Sequence, residues 1–393
     1  MKVLILTAVP FPNGMAATNR IKCYAKALAE QGVDCKVLCF RRSDIKTNTT
    51  KEGREDGVEF KYVGRNSIRS KGWKGRLEDL IDHLHLLLSL LLTVNKNTVV
   101  FSYGSTLHFG NMLIMVTHLK GGTFVRDLVE IPNVVLNDTP KQKRIREKEL
   151  KCQFPRYDGV IAISTALKEM AEVYINKPNA VLQVPILVDY EKYYLEDQSE
   201  VAEKSFIFHS GTLTDQKDGI TGMIEAFGKA VNSIDTPIYF YSTGYIEKSP
   251  QREEIKGIIE KYGIEDNVRF LGYLSDKELQ EYMKKASLVI INKYKTEQNI
   301  YCFSTKLGEY MAAGIPVIIT NVGEAMNWLI DGADARIVET ENNDALATAI
   351  IELIDNKGLR KRIGERGRET CKRSFDYHNY GKPIRDFFQS LMK

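Results

Sequence analysis

The stretch from Ser304 to Ile318 contains the residues best suited to chemistry, because a helix start is followed one turn later by a carboxylate. Its apolar spacing predicts a helix over Lys306–Ala313, with Ser304 as the N-cap. Free N–H groups at such a helix start, together with the helix dipole, form a site suited to a diphosphate. The carboxylate of Glu309 can accept hydrogen bonds from ribose hydroxyls. A surface glutamate in an ordinary helix–strand unit explains the same pattern equally well.

These residues need elements that position them, and short apolar runs alternate with helical patterns along the whole chain. In the first half, the runs predict strands at Val3–Ala8, Cys35–Phe40, Thr98–Ser102, Gly122–Val125, Gly159–Ile163 and Ala180–Val184. In the second half, they predict strands at Phe206–His209, Ile238–Tyr241, Val268–Leu271, Leu288–Ile291 and Val317–Thr320. Helices between such strands imply parallel sheets covered on both faces. The predicted fold class is therefore α/β, with two doubly wound domains.

The loops after these strands should hold the functional residues, because ligands of open α/β sheets bind beyond the carboxyl ends of the strands. No GxGxxG motif follows the first strand, and the sequence contains no GxxxxGKS or GxxxxGKT motif. A dinucleotide-binding dehydrogenase and a P-loop NTPase therefore lose their main support.

The composition is that of an ordinary globular protein, and 393 residues suggest two domains. A net charge of +4 is too small to indicate nucleic acid as a partner. The six scattered cysteines form no CxxC pair, so no zinc or redox site is predicted, and they fit the reduced thiols of a cytosolic protein. The N-terminus lacks the features of a signal peptide, and the apolar stretch Leu84–Val94 falls short of the ~20 residues of a membrane span.

The Ser304–Ile318 stretch resembles the donor-site signature of the retaining GT-B glycosyltransferases of family 4, some of which read P-S-K-L-x-E-Y-M-A-A-G-x-P-V-I. Weaker similarities follow along the chain at Pro12–Gly14, Arg126–Leu128, Tyr157–Ser164, Ser210–Gly219 and Asn267–Leu274. The resemblance thus covers nearly the whole chain. It implies the GT-B fold, in which two Rossmann-like domains face each other across a cleft.

The resemblance also implies an activity and roles for individual residues. The activity is transfer of a sugar from a nucleotide-diphosphate-sugar to an acceptor, with retention of configuration and with neither a metal nor a resident cofactor. The residues implied to contact the donor phosphates are Gly14, Gly211, Lys217, Ser304 and Thr305. Those implied to contact the ribose or nucleotide are Glu309 and Tyr273. Those implied to lie near the donor sugar are Tyr301, Cys302 and Phe303. The DxD motif of metal-dependent transferases is absent from the sequence.

Two positions depart from the family pattern. The family commonly has two glutamates eight positions apart, and Tyr301 stands in place of the first, which normally contacts the donor sugar. Thr212 stands where the family has a phosphate-binding arginine. The resemblance then leaves Lys217 as the phosphate-binding cation, with help from Lys306. One cation facing a diphosphate is a weaker clamp than an Arg–Lys pair.

Two residues near strand ends of the first half are candidates for a catalytic base. Asp127 is one, and an ion pair with Arg126 is the competing interpretation. His108 is the other, and a structural histidine near a sheet edge is its competing interpretation. His118 and His209 are interpreted as structural.

The predicted domains are an N-terminal acceptor-binding domain, residues 1–187, and a C-terminal donor-binding domain, residues 188–372. The Pro185–Asp189 segment is predicted to link them. By the resemblance, the C-terminal residues 373–393 form a helix that packs back on the N-terminal domain.

One segment of the first half favours a membrane surface. Six basic residues and no acidic ones lie between Lys61 and Arg76, with Trp73 among them, and a Leu-rich helix is predicted over Leu80–Leu92. Lys141–Lys151 adds a second basic run. This pattern suits peripheral contact with the anionic inner face of a plasma membrane, and it suits a lipid-linked sugar as the acceptor. A solvated loop followed by a core helix is the alternative.

Three functions follow from these features. The first is a glycosyltransferase of bacterial cell-surface polysaccharide or glycolipid synthesis, with a glycan or a lipid-linked sugar as acceptor. The second is a non-catalytic GT-B subunit that binds a partner transferase or a glycan, which Tyr301 and Thr212 favour. The third is a nucleotide-sugar 2-epimerase of similar fold, which the 304–318 pattern fits less well.

Overall fold

The computed structural model describes residues 1–104, 107–132, 139–194 and 205–392, and it divides into two compact units. Unit 1 comprises Met1–Val188 with Tyr377–Lys393, and unit 2 comprises Asp189–Asp376. Each unit contains one twisted sheet of mainly or wholly parallel strands with helices around it. The predicted fold class, α/β with two doubly wound domains, is therefore confirmed.

Unit 1 alternates strands and helices along most of its length. Its strands are β1 Lys2–Thr7, β2 Asp34–Cys39, β3 Glu52–Glu55, β4 Val58–Tyr62, β5 Thr98–Tyr103, β6 Thr123–Leu128, β7 Gly159–Ala162 and β8 Val181–Gln183. Its helices are α1 Ala16–Glu30, α2 Gly72–Thr93, α3 Leu107–Leu119, α4 Pro140–Lys148, α5 Thr165–Ile175 and, at the C-terminus, α15 Gly381–Leu391.

The eight strands of unit 1 have the order β3-β4-β2-β1-β5-β6-β7-β8, and all neighbours are parallel except the β3–β4 pair. The chain reverses its direction of travel across the sheet between β1 and β5. Such a reversal opens a crevice at the carboxyl ends of the two strands. The loop after β1, which contains Gly14, lies at this position.

The core of unit 1 lies between the sheet and the helices on either side. Strand β1 is buried on both faces, as expected for a central parallel strand. The C-terminal helix α15 packs against α1 and places Ile384, Phe387 and Phe388 in the same apolar cluster as Tyr24 and Phe101. The last segment of the chain is therefore part of the first unit's core.

Unit 2 follows the same rule with shorter strands. Its strands are β9 Ser205–His209, β10 Ile238–Ser242, β11 Val268–Phe270, β12 Leu288–Ile291, β13 Val317–Thr320 and β14 Arg336–Val338. Its helices are α6 Tyr190–Tyr193, α7 Asp215–Asp218, α8 Ile220–Val231, α9 Arg252–Tyr262, α10 Asp276–Lys285, α11 Glu297–Tyr301, α12 Thr305–Ala312, α13 Asn343–Asp355 and α14 Lys357–Ser374.

The sheet of unit 2 is parallel throughout, with the order β11-β10-β9-β12-β13-β14. Strands β9 to β11 extend to one side and β12 to β14 to the other, so the switch point lies between β9 and β12. The carboxyl ends of β9 and β12 are thus where a ligand of this unit is expected.

Every strand predicted from the sequence overlaps an observed one, but three observed strands were not predicted. Strand β3 is exposed and reads Glu-Gly-Arg-Glu, so it carries no apolar pattern. Strand β4 alternates buried and half-buried residues over only five positions, and its last two residues overlap the basic segment that begins at Lys61. Strand β14 has only three residues.

Candidate functional site

The switch point of unit 2 collects charged side chains. His209 is the last residue of β9, and Lys293 follows β12 after Asn292. The loop after β9 leads into the short helix α7, which ends at Asp218. Lys306 lies in the first turn of α12. We call His209, Asp218, Lys293 and Lys306 the switch-point cluster.

The Asp218 carboxylate lies at the centre of the switch-point cluster. Its Oδ1 atom accepts a hydrogen bond from Lys306 Nζ at 2.6 Å and lies 3.8 Å from Lys293 Nζ. Its Oδ2 atom accepts hydrogen bonds from the backbone N–H and the hydroxyl of Thr212, both at 2.7 Å. His209 Nε2 lies 3.9 Å from the same oxygen. Asp218 is only 6% exposed, so these contacts replace nearly all of its hydration.

The side chains of the switch-point cluster lie so close to the backbone at position 211 that only glycine fits there. A Cβ atom on Gly211 would lie 2.3 Å from Lys306 Nζ and 2.7 Å from both Asp218 Oδ2 and His209 Nε2. Any side chain at this position would displace the charged groups. The glycine was predicted from the family resemblance to contact a phosphate, and the structure places its α-carbon against the ends of all three side chains.

Backbone contacts hold the cluster in place. The N–H group of Lys293 donates to Thr320 Oγ1 at 2.7 Å, and its carbonyl accepts from the hydroxyls of Thr320 and Thr340. Gly219 adopts φ +55° directly after Asp218 and its carbonyl accepts a hydrogen bond from Asn292 Nδ2. The residues after β9, β12 and β13 therefore fix one another.

The electrostatics of the cluster follow from burial and from the two lysines. Burial by itself raises the pKa of the Asp218 carboxyl, but Lys306, His209 and Lys293 outweigh it, and the pKa lies well below its ordinary value. Burial and the charge of Lys306 lower the pKa of His209 to about 3. Burial also lowers the pKa of Lys306. The His209 imidazole is therefore neutral at neutral pH, beside the Asp218 carboxylate.

His209 has one ring nitrogen satisfied and one that is not. Its Nδ1 atom lies 2.9 Å from Ser242 Oγ, within hydrogen-bond distance. Its Nε2 atom is buried and has no hydrogen-bond partner among the described residues. The sequence-based interpretation of His209 as a structural residue therefore misses its position in the cluster.

Helix α12 supplies the other residues of the predicted donor motif. Ser304 is its N-cap, as predicted, but the Ser304 side chain makes no capping hydrogen bond, so its hydroxyl does not occupy the helix start. Thr305 is the first residue of the helix and is half-buried. Glu309, one turn further on, accepts a hydrogen bond from the hydroxyl of Tyr193 at 3.2 Å.

The residues expected near a donor sugar have different environments. Tyr301 ends helix α11 and is half-buried. The carbonyl of Cys302 accepts a hydrogen bond from the N–H group of Glu324. The side chain of Phe303 is buried, and its ring centroid lies 5.5 Å from that of Phe375. Only the backbone of Phe303 is therefore available to a ligand at this position.

Two predicted contacts are exposed. Tyr273 is 78% exposed. Lys217 is also exposed, and its ammonium group makes no hydrogen bond or ion pair with any described residue, whereas its carbonyl accepts from the Lys293 ammonium group. The cations that converge at the switch point are Lys293 and Lys306.

Sequence reasoning missed Asp218 and Lys293, although the sequence contains a signal for each. Lys293 is the second residue after an entirely apolar strand, in the kind of loop where functional residues of parallel sheets occur. Asp218 precedes a glycine at a helix start, in the position next to the lysine that the resemblance selected. Of these two adjacent residues, Asp218 is buried and Lys217 is exposed.

Unit 1 carries the remaining predicted residues. A Cβ atom on Gly14 would lie 1.9 Å from Thr18 Oγ1, which donates to the carbonyl of Pro10 at 2.7 Å, so a glycine is required in this loop. The neighbouring Asn13 is held through both its backbone groups by Asn48. The loop after β1 is therefore rigidly positioned at the sheet's switch point.

Asp127 is a buried partner of Arg20. Arg20 Nε donates to Asp127 Oδ2 at 3.2 Å, and the hydroxyl of Tyr24 donates to Asp127 Oδ1 at 3.0 Å. Asp127 is 2% exposed. The competing interpretation of an ion pair is thus favoured, but its partner is Arg20 and not the adjacent Arg126. Both Asp127 oxygens are already engaged, which fits a structural group better than a general base.

His108 is exposed in the first turn of α3. Its side chain has no hydrogen bond or ion pair with the residues that the structure describes, so nothing in its surroundings orients it as a base. Within the same described residues, His, Cys, Asp and Glu side chains form no group of three or more that could hold a metal ion.

The comparisons with known proteins agree with this geometry. Residues 194–370 match the family described as "Glycosyl transferases group 1", which covers nearly all of unit 2. A sequence relative is an uncharacterized glycosyltransferase of Methanocaldococcus jannaschii, which is 24% identical over 329 residues, 84% of this chain and 79% of that protein.

Solved structures match the chain over nearly its whole length. Sucrose-phosphate synthase from Thermosynechococcus elongatus superposes with a TM-score of 0.75 at 15% identity, covering 99% of this chain and 98% of that one. HepE of Anabaena, in complex with UDP-glucose, superposes with a TM-score of 0.72 at 17% identity, covering 99% and 100%. The fold is that of the GT-B glycosyltransferases.

Replacing Asp127 by Ala should destabilise unit 1 strongly, because it leaves the buried Arg20 guanidinium without its counter-ion. We expect a loss of about 3–5 kcal/mol in the free energy of unfolding, measured by chemical denaturation. The control is Glu59→Ala, which breaks an exposed ion pair with Arg54 and should change little. Normal stability of Asp127→Ala together with loss of transfer activity would instead identify Asp127 as a catalytic base.

The lowered pKa of His209 predicts a pH dependence of stability. The unfolded chain binds a proton at this residue below about pH 6.5, whereas the folded chain does so only near pH 3. The stabilisation is therefore complete above about pH 6.5 and is lost as the pH falls toward 3. Between about pH 6 and 4.5, we expect His209→Gln to reduce the slope of unfolding free energy against pH by about 1.4 kcal/mol per unit. An equal reduction in the exposed-site control His108→Gln would contradict the assignment.

Proposed function

We propose that this protein transfers a sugar from a nucleotide-diphosphate-sugar to a glycan or lipid-linked acceptor, with retention of configuration and without a metal. The observation that carries the proposal is the pair of ammonium groups, Lys293 and Lys306, at the switch point of the unit that matches the group 1 family. Diphosphates bind at such positions, where cations and a helix start converge. The proposed role of residues 188–372 is therefore donor binding, and that of residues 1–187 is acceptor binding.

The proposed site uses the predicted residues, except that Lys306 and Lys293 take the place of Lys217 as the principal cations. The donor diphosphate contacts Lys306, Lys293, Gly211 and the start of α12 at Ser304 and Thr305. The ribose contacts Glu309, and Tyr273 lies beside the base. Lys217 is replaced as principal cation because its ammonium group is exposed and outside the cluster. The donor sugar lies near Tyr301 and Cys302.

The chemistry of this site is electrostatic. When the bond from the sugar to the diphosphate breaks, negative charge develops on the leaving phosphate oxygen. Fixed ammonium groups and helix N–H groups next to that oxygen stabilise the charge, which is often the largest single contribution to such catalysis. HepE, a protein of the same fold, binds UDP-glucose, which makes a uridine donor the first to test.

The alternative function is a non-catalytic subunit. Thr212 and Tyr301 stand in place of an arginine and a glutamate of the resembling family, and Asp218 brings a negative charge into the cluster. A protein with these changes could use the same fold to bind a partner or a glycan. Nucleotide binding discriminates between the two functions.

We further propose that helix α2 contacts an anionic membrane surface near a lipid-linked acceptor. Its apolar residues Trp73, Leu77, Leu80, Ile81, Leu84, Leu88 and Leu92 are exposed at helical spacing, with Trp73 at 70% and Leu92 at 85% exposure. The opposite face packs into unit 1 through Leu86 and Leu90. The helix is therefore amphipathic, as helices that lie on a membrane surface are. The alternative of a core helix explains the buried face but not the exposed apolar face.

Charge and a neighbouring helix support the same surface. Lys71, Lys74 and Arg76 are exposed at the start of α2, and no carboxylate among the described residues pairs with them. Two of the six basic residues of this segment are neutralised, Lys61 by Glu52 and Arg69 by Asp79. Helix α3 packs against α2 and adds three exposed apolar residues, Met112, Met115 and Leu119. In the part of the chain that the structure describes, no helix has the length and apolar character needed to cross a bilayer.

A nucleotide panel tests the transferase proposal. A nucleoside diphosphate or sugar nucleotide that binds only the folded state should raise its stability by ~2.7 kcal/mol at a hundredfold excess over Kd, seen as a thermal shift. We expect Lys306→Met to abolish most of the shift and Lys217→Met to reduce it less, because only Lys306 lies in the cluster.

The control variant is Lys277→Met, an exposed position on α10 that should bind normally. Nucleotide release that depends on an added glycan or lipid-linked acceptor would support transfer. A panel without any thermal shift would contradict the proposed function and favour the non-catalytic subunit.

Vesicle binding tests the α2 surface. The protein should co-sediment at low salt with vesicles of phosphatidylglycerol and phosphatidylcholine, and less with phosphatidylcholine alone, because the basic residues attract the anionic lipid. Leu84→Glu with Leu88→Glu should remove the binding by placing charges in the apolar contact. The matched control is Val173→Glu, at a 74% exposed apolar position on α5 of the same unit. Equal loss in the control, or no binding of the unaltered protein, would contradict the proposal.

A further inference from the structure

The Asp218 carboxylate is bound in the way that proteins bind a phosphate. Its Oδ1 atom accepts a hydrogen bond from Lys306 Nζ at 2.6 Å and lies 3.8 Å from Lys293 Nζ. Its Oδ2 atom accepts hydrogen bonds from the backbone N–H and the hydroxyl of Thr212, both at 2.7 Å. Ammonium groups, a backbone N–H and a hydroxyl are the donors that phosphate oxygens also take. Thr212 is the position where the resembling family has an arginine, so the chain replaces a cation with a residue that binds the carboxylate.

The carboxylate is also fixed. Each of its oxygens has at least one short contact, and the side chain is 7% exposed, so it cannot turn toward solvent without losing several hydrogen bonds in a buried place. Lys306 and Lys293 are consequently held beside Gly211 by a charge that belongs to the protein. With a neutral His209, the four groups carry a net charge of +1.

From this geometry we propose that Asp218 is a resident counter-anion that positions Lys306 and Lys293 and weakens the hold of the site on nucleoside diphosphate. The inference rests on the proposed function, because it assumes that the donor diphosphate binds at the switch-point cluster. In the transfer, the bond between the anomeric carbon and the terminal phosphate oxygen breaks and its electron pair stays on that oxygen. The acceptor oxygen forms the new bond and its proton passes to solvent.

The product diphosphate then carries one more negative charge than it did in the donor. Two lysines without Asp218 would bind this product more tightly than the donor. The fixed negative charge a few ångströms away opposes both ligands, and the more highly charged product more strongly. Asp218 is thus a positioning residue that reduces product retention at the cost of some donor affinity.

The test compares two carboxylates of the same short helix. Asp215 accepts hydrogen bonds from the backbone N–H and the hydroxyl of Thr221, at 2.9 and 2.7 Å, just as Asp218 does from Thr212. Asp215 has no ammonium partner among the described residues. Asp215→Asn therefore controls for loss of a local cap, while Asp218→Asn also removes the charge between the lysines.

Calorimetric titration with UDP, GDP, ADP and inorganic pyrophosphate gives the expected result as a change in Kd. Asp218→Asn should bind the product nucleotide and pyrophosphate about 10-fold more tightly than the unaltered protein, with a steeper dependence on salt. The gain should be smaller for the uncleaved sugar nucleotide. Asp215→Asn should leave each Kd unchanged.

Several outcomes overturn the inference. Weaker or unchanged binding of nucleotide and pyrophosphate by Asp218→Asn would show that the carboxylate serves only to hold the Thr212 loop. If Asp218→Asn does not fold, Asp218→Ala is assayed by thermal shift, where added pyrophosphate must stabilise the variant more than the unaltered protein. Tighter pyrophosphate binding without binding of any nucleotide would support Asp218 as counter-anion while contradicting the transferase. Acceptor-dependent transfer by the unaltered protein, without tighter product binding by Asp218→Asn, would support the transferase and contradict Asp218 as counter-anion.

Discussion

The ion pair between Asp218 and Lys306 is the contact on which the arrangement of unit 2 depends. A carboxylate that is 6% exposed can stay charged only if cations and hydrogen-bond donors replace its lost hydration. This requirement ties the loop after β9 to the first turn of α12, although these segments are 88 residues apart. Gly211 then has to be a glycine, because the paired groups lie directly against its α-carbon.

A second buried ion pair, in unit 1, shows what distinguishes a structural charge from a binding site. Arg20 and Asp127 are both almost fully buried, and Arg20 also donates to Tyr24 and to the carbonyls of Val184 and Pro185. One positive charge meets one negative charge, each Arg20 side-chain nitrogen donates a hydrogen bond and both Asp127 oxygens accept one. The switch-point cluster has two cations for one carboxylate, and the His209 Nε2 atom has no partner among the described residues. Excess positive charge is what an anionic ligand requires.

The sequence predicted most of the strands, the fold class and the helix α12 because apolar periodicity and helix caps are local signals. It did not predict which residues of the loop after β9 point inward. Lys217 and Asp218 are adjacent, and the choice between them depends on the turn at Gly219 and on the position of Lys306. Pairing of Asp127 with Arg20 instead of Arg126 has the same origin, because neighbouring strand residues point to opposite faces. Charge pairing across 88 or 107 residues leaves no periodic pattern in the sequence.

The absence of the family's arginine at Thr212 does not by itself remove the capacity to bind a diphosphate. What a diphosphate needs is positive charge at the switch point, and the chain supplies it from the loop after β12 and from α12. The threonine in turn donates two hydrogen bonds to Asp218, which tie the loop after β9 to the switch-point cluster. The cluster therefore keeps the positive charge that a diphosphate needs, although Thr212 contributes none of it.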